Sequence, residues 1–220
     1  MTEHAPSPSD DPQIATALGE RGDLWIFGYG SLMWDPGFHH ADSHPAVVHG
    51  YHRRFCVYSY GYRGTRARPG LVLGLDRGGT CKGIAYRVPR RHAKATLAYL
   101  WERELDGGVY RFRKLKARLT RRVVEAYSCV VDRAHPGYAA ELSIEETARL
   151  ICQGVGKRGL CLDYLENTVR HIEALGLTDG HLHRLLEVVQ RQAASERRRR
   201  SSAAAVSAGA ADAPERRNSP

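Results

Sequence analysis

Short apolar runs and alternating apolar and polar positions dominate the chain up to about residue 131. Residues 24–27 form an apolar run that Gly28 ends, which is typical of a buried strand leading into a turn. Alternation predicts further strands over residues 53–62, 71–75, 83–88, 109–119 and 123–131. The sequence DRGG at 76–79 predicts a turn between two of them. About six strands at this spacing indicate a β-meander or barrel.

Helical patterns interrupt these strands once and then dominate the rest of the chain. Pro89 is compatible with a helix start, and Gly107 and Gly108 end that helix. A capping box is predicted at Ser143–Glu146. A helix follows over residues 160–175 with Gly176 as its C-cap, and the last helix starts at Thr178. Strands first and helices afterwards predict an α+β fold.

Composition predicts one folded domain between two flexible ends. Residues 1–22 form an acidic, Pro- and Ser-containing leader without a secretory signal pattern, and residues 193–220 form a basic tail. The domain is therefore expected at 23–192, with a flexible leader before it and a disordered tail after it. No apolar run reaches the length of a membrane helix, so no membrane partner is expected.

Cysteines and charge narrow the function classes. The five cysteines are odd in number and form no C-x-x-C pair, which argues against a disulfide scaffold or structural zinc and favours reduced thiols in the cytoplasm. The net charge is +9. Most of this excess lies in the predicted domain and favours anionic partners, either small acids or nucleic acid. A basic RNA-binding module using residues 111–116 and 197–200 therefore remains an alternative.

Two segments carry candidate chemistry. The sequence FGYGSL at 27–32 places two glycines and a serine after a strand, where free amides can hold a carboxylate or an oxyanion. Glu102, Glu104 and Asp106 lie at a helix end, where the helix dipole disfavours negative charge. Burial there would raise the pKa of a carboxyl toward that of a useful base. An ordinary tight turn and a solvated helix end are the alternatives.

Other motifs predict less. Tyr138 follows His135-Pro136-Gly137 on a predicted loop and offers its hydroxyl as a candidate site group. A ring that only packs on its neighbours is the alternative. The G-x-G-x-x-G at 154–159 follows a helical pattern, which favours an interhelical turn over a phosphate site. The histidines lack fixed ligand spacing, so no metal site is expected. Ser31 lacks the G-x-S-x-G elbow of a hydrolase.

Taken together, these motifs resemble the ChaC-type γ-glutamylcyclotransferases. The resemblance is carried, in order, by WIFGYGSLMW at 25–34, GYHRRF at 50–55, PGLVLGL at 69–75, WERE at 101–104, HPGY at 135–138 and YLENTV at 164–169. It spans roughly residues 24–190. Three positions in two segments depart from the family pattern: RGTRARPG at 63–70 lacks a usual Pro and Glu, and Cys161 replaces a common Asn.

The resemblance implies a small closed β-barrel flanked by helices. It also implies cleavage of glutathione to 5-oxoproline and cysteinylglycine in the cytoplasm, without metal or cofactor. Glu104 is implied as the catalytic base. The implied substrate-binding residues are Ile26, Phe27, Gly28, Tyr29, Gly30, Ser31, Leu32 and Tyr138. A small-molecule substrate, and no nucleic acid, is the expected partner. Cyclisation of other γ-glutamyl amines is the nearest alternative activity.

Overall fold

Five strands form a closed barrel in the computed structural model, which describes residue 8, residues 11–105 and residues 107–211. The strands are β1 (Leu24–Gly28), β2 (Asp42–Ser59), β3 (Gly70–Val88), β4 (Tyr110–Arg118) and β5 (Val123–Val131). Their order is β1-β3-β2-β4-β5. A parallel contact between Ile26 of β1 and Tyr127 of β5 closes the barrel. The expected α+β barrel is confirmed.

The count of about six barrel strands is corrected to five. Residues 71–75 and 83–88 belong to one strand, because the DRGG segment bends the chain without ending its pairing with β2. The ladder runs through His49↔Thr80 and resumes at Tyr51↔Arg77. Gly50, Gly78 and Gly79 lie between these pairs with positive φ of 82°, 101° and 68°. They form an irregularity that lets a long hairpin curve around the barrel.

Helices cover the barrel on two sides. The helices are α1 (Pro12–Gly19), α2 (Ala93–Leu100), α3 (Ile144–Gln153), α4 (Cys161–Ala174) and α5 (Gly180–Ala211). One apolar cluster joins the barrel to α3, α4 and α5. A second cluster joins β1, β4 and β5 to α1 and α2. None of the described helices is long and apolar enough to span a membrane.

Several local predictions are confirmed. The capping box at the start of α3 is present, with the Ser143 and Glu146 side chains each bonded to the other's backbone amide. Gly176 follows α4 with a positive φ of 67° and donates its amide to the Glu173 carbonyl. The expected turn over 154–159 is a small hairpin between α3 and α4, formed by β6 (Val155–Gly156) and β7 (Gly159–Leu160).

The two chain ends differ from the expectation. Residues 12–19 of the expected flexible leader form helix α1. This segment is ordered because Ile14 is fully buried and Ala17 nearly so, and both pack in the second cluster. Helix α5 continues through residues 193–211 of the expected disordered tail. Residues 1–7, 9, 10 and 212–220 of the two expected flexible ends lie outside the described residues.

Candidate active site

The loop after β1 forms one wall of the candidate site. Gly28 ends β1, and a Cβ at this position would lie only 3.0 Å from the Cβ of Leu32, so the close turn favours glycine. Residues Ser31–Met33 then make one short 3₁₀ turn. The Tyr86 hydroxyl donates to the carbonyls of Leu32 and Met33 at 2.8 and 3.0 Å and holds the turn against the barrel.

A π-helical turn brings Glu104 to this loop. Helix α2 widens after Leu100 into a five-residue π turn at Trp101–Leu105. Such turns are rare and are frequent at functional sites. Leu100 and Leu105 are buried in the second cluster and anchor the two ends of the turn. Asp106, the third carboxylate of the candidate motif, lies outside the described residues, and Glu102 is exposed.

Arg103 connects Glu104 to the glycine-rich loop. Its Nε donates to Glu104 Oε1 at 3.1 Å, and its Nη2 donates to Ser31 Oγ at 3.0 Å. Nη1 donates to the Tyr99 hydroxyl at 2.6 Å and to the Asp35 carbonyl at 2.9 Å. One guanidinium therefore fixes the two candidate segments, which are more than seventy residues apart, in a single constellation.

Three tyrosines lie near the carboxylate of Glu104. The negative charge of Glu104 helps to raise the pKa values of Tyr29, Tyr110 and Tyr164, after burial as the main cause. A methyl group on Gly30 would lie 3.7 Å from the Tyr164 hydroxyl and 3.6 Å from Leu73. The Tyr110 hydroxyl donates to the Leu73 carbonyl at 2.6 Å. The loop, Glu104 and Tyr164 of α4 therefore lie close together.

The environment tunes Glu104 as a proton acceptor. Burial raises the pKa of its carboxyl above 4.5, and Arg103 partly opposes this rise. The side chain still has 23% of its surface exposed, which leaves the carboxylate accessible to a ligand. An ionised carboxylate with a raised pKa is suited to accept a proton and return it during one reaction.

The other expected site residues divide into two groups. Ile26 and Leu32 pack into the second apolar cluster and Phe27 into the first, so these side chains support the loop from beneath. Tyr138 lies on a separate network, where its hydroxyl donates to Asp76 at 2.8 Å. Tyr138 and Tyr110 pack against the same buried residues, Cys56, Val57 and Val131.

Arg103, Tyr110 and Tyr164 are site residues that the sequence analysis did not select. Arg103 adjoins Glu104, and Tyr110 and Tyr164 stand in or beside the quoted motifs. Tyr110 starts a strand and Tyr164 lies on a helix, so in the sequence both resemble ordinary core residues. Only the fold shows that they lie near Glu104. Among the described residues, no group of three or more His, Cys, Asp or Glu side chains could hold a metal ion.

The fold and the site define a known structural class. A crystal structure of a γ-glutamyl cyclotransferase specific to glutathione from yeast superimposes with a TM-score of 0.72 at 23% identity, covering 78% of this chain and 97% of that one. The family model described as "ChaC-like protein" matches residues 24–192. The chain belongs to the ChaC-like family.

Curated relatives agree with this assignment. The chain is 35% identical over 176 residues to the glutathione-specific gamma-glutamylcyclotransferase of Escherichia coli (strain K12), covering 80% of this chain and 76% of that protein. It is 32% identical over 200 residues to glutathione-specific gamma-glutamylcyclotransferase 1 of Mus musculus, covering 86% and 90% of the two chains.

Proposed function

We propose that this chain is a glutathione-specific γ-glutamylcyclotransferase that converts glutathione into 5-oxoproline and cysteinylglycine. The relatives from Escherichia coli and Mus musculus carry this activity in their names. The observation that carries the proposal is the position of Glu104. A single guanidinium joins its carboxylate to Ser31 of the glycine-rich loop, with bonds of 3.1 and 3.0 Å.

The reaction closes a ring within the substrate. The α-amine of the γ-glutamyl group attacks its own γ-carbonyl carbon, a new C–N bond forms and the amide C–N bond to cysteine breaks. Near neutral pH this amine is mostly protonated, so a base must first remove a proton. Glu104 takes that proton and returns it to the departing cysteinyl nitrogen. After the attack the ring nitrogen loses a second proton, which the released amine takes up, so the ammonium of the substrate is replaced by the ammonium of cysteinylglycine. The reaction consumes no water and needs no nucleophilic side chain. As written, it also needs no metal or cofactor.

The glycine-rich loop would hold the folded substrate. Ser31 begins a 3₁₀ turn, and the first amides of a helical turn have no partner within it. The amides from Gly30 to Leu32 can therefore donate to the substrate carboxylate or to the oxyanion that develops on the γ-carbonyl oxygen. Tyr29 lies near enough to Glu104 for that charge to help to raise the Tyr29 pKa, and Gly28 allows the close turn at the end of β1.

The remaining expected residues have supporting roles in this proposal. Ile26, Phe27 and Leu32 hold the loop through their packing in the two clusters. Tyr138 contributes its ring beside the cluster that also carries Tyr110, while its hydroxyl is bonded to Asp76. The five cysteines are free thiols, which supports a reducing compartment such as the cytoplasm.

The direct test supplies purified protein with glutathione and, separately, with γ-Glu-Ala, and identifies the products by mass spectrometry. The proposal predicts 5-oxoproline and cysteinylglycine from glutathione, and no ring product from γ-Glu-Ala. Ring closure with γ-Glu-Ala alone would shift the assignment to other γ-glutamyl amines. No ring product from either substrate would overturn the proposal. Salt-dependent RNA binding that survives removal of residues 193–220 would then favour the basic binding module.

A further inference from the structure

Arg103 occupies the position between the two halves of the candidate site. Its guanidinium has acceptors on three different segments: Glu104 on the π turn, Tyr99 on α2, and Ser31 and Asp35 in the region after β1. The side chain is 20% exposed, so it is neither a solvated surface group nor a fully buried one. The planar guanidinium can satisfy several acceptors at fixed angles, which a lysine ammonium cannot.

We propose that Arg103 is a positioning residue that holds the Glu104 carboxylate against the glycine-rich loop for the cyclisation reaction. This inference rests on the proposed function and assigns a new role within the same site. Arg103 acts through Glu104 and Ser31, and contact with the substrate is not part of the role.

Arg103 and Glu104 form an ion pair within the π turn although they are adjacent in the sequence. On an ordinary α-helix, neighbouring residues do not face each other. In the π turn, the Arg103 Nε lies 3.1 Å from Glu104 Oε1 while Nη2 of the same group reaches Ser31. The guanidinium therefore joins the base to the loop, and both parts of the site must move together.

The cation also acts on the charge of the base. Burial disfavours the ionised carboxylate of Glu104, whereas the nearby positive charge of Arg103 favours it and lowers its pKa. Removal of that charge leaves burial unopposed. Glu104 would then stay protonated to a higher pH, where it cannot accept a proton from the substrate amine. Arg103 is thus expected to affect both the position and the ionisation of the base.

The kinetic test compares Arg103→Gln and Arg103→Lys with a matched control, Arg87→Gln. Arg87 likewise joins separate segments through its guanidinium, which binds the carboxylates of Asp23 and Asp42. We expect Arg103→Gln to lower kcat/KM for 5-oxoproline release roughly 10²-fold at neutral pH, mainly through kcat. The acid limb of its pH–rate profile, where activity falls as Glu104 becomes protonated, should move to higher pH. Arg103→Lys should retain part of the activity, and the control should keep the parental profile.

A purely structural arginine would give a different pattern. A loss of the same size at every pH, with an unmoved acid limb, would overturn the inference. So would an Arg103→Gln enzyme with parental kcat. Circular dichroism and the melting temperature establish folding. If Arg103→Gln does not fold, Arg103→Met, which also removes the charge, is measured in its place and decides between the same two outcomes.

A second measurement separates this inference from the proposed function. In protein with ¹³C-labelled glutamate carboxyl groups, the Glu104 signal is identified by its absence from Glu104→Gln. NMR titration should give a higher midpoint for this signal in Arg103→Gln than in the parent, and an equal midpoint would overturn the inference. The titration needs no turnover. A parent protein that releases no 5-oxoproline therefore overturns the proposed function alone.

Discussion

Two carboxyl groups of the barrel show how differently burial can act on single residues. Glu104 has one close cation, so burial dominates and raises the pKa of its carboxyl. Asp76 is fully buried on β3, but Arg133, the Tyr138 hydroxyl and the Arg77 amide bond to it. These bonds outweigh burial and lower the pKa of Asp76. The first group is therefore the candidate for proton exchange, and the second is a permanent charge that stabilises the structure.

Asp76→Asn should destabilise the protein in a pH-dependent way. Its depressed pKa means that Asp76 stabilises the fold fully above about 3.8, and that this contribution is lost as pH falls through its lower folded-state pKa. We expect a loss of roughly 2–5 kcal/mol in the free energy of unfolding at neutral pH. The difference from the parent should shrink in urea titrations at pH values below 3.8.

Asp42→Asn is the matched control for that substitution. Asp42 also bonds to an arginine, Arg87, but its side chain is 44% exposed. Surface ion pairs contribute about 0–1 kcal/mol, so this change should have little effect at any pH. Equal penalties for the two variants, or a penalty for Asp76→Asn that does not change with pH, would contradict the assigned role of Asp76.

Residue identity alone predicted only part of the site. The residues alone indicated the glycine-rich loop and three carboxylates at a helix end as candidates, and only the family resemblance singled out Glu104 among the three. Arg103, Tyr110 and Tyr164 could not be selected, because their roles depend on the π turn, on strand register and on how α4 meets the barrel. Tyr138 belongs to a recognisable motif, but the motif does not predict that its hydroxyl donates to Asp76, 62 positions away in the sequence.

At the scale of elements, the sequence pattern predicts strands well where side chains alternate and poorly where the strand bends. The start of β2 at Asp42 precedes its predicted start by eleven residues, because Pro45, Gly50 and the polar side chains between them obscure the alternation. The two glycines of DRGG signal a change of direction correctly. Only the long pairing of β2 with β3 reveals that the strand continues.

Helix α1 shows how tertiary contacts can order a short segment that composition assigns to a leader. The Asp11 side chain caps the helix at the amides of Gln13 and Ile14, and Pro12 fits the first turn. Ile14 and Ala17 face the cluster that also contains Leu100 and Leu105 beside the candidate base. Two buried positions in eight residues give too short a pattern to predict this packing.

Ile14→Ala tests whether α1 is part of the folded unit. Ile14 is 0% exposed, so truncation should leave a cavity and lower the free energy of unfolding by about 2–4 kcal/mol. Thr16→Ala on the exposed face of the same helix is the control and should change it by less than about 0.5 kcal/mol. Urea or thermal unfolding measures both. Parental stability of Ile14→Ala would restore the view of this segment as a flexible leader.

The whole molecule brings distant parts of the chain to one point. The loop after β1, the π turn after α2, the start of β4 and helix α4 all contribute side chains around Glu104. Barrel closure between β1 and β5 fixes the loop, and the cluster beneath α1 and α2 fixes the π turn. The net charge of +9 favours anionic partners of the whole molecule.

The central claim is that one carboxylate transfers the proton that drives ring closure. Its most direct test measures 5-oxoproline release from glutathione by Glu104→Gln beside Glu102→Gln, an exposed neighbour on the same π turn. Glu104→Gln should lower the rate by at least about 10²-fold with an unchanged fold, and Glu102→Gln should retain the parental rate. Near-parental turnover by folded Glu104→Gln would contradict the account.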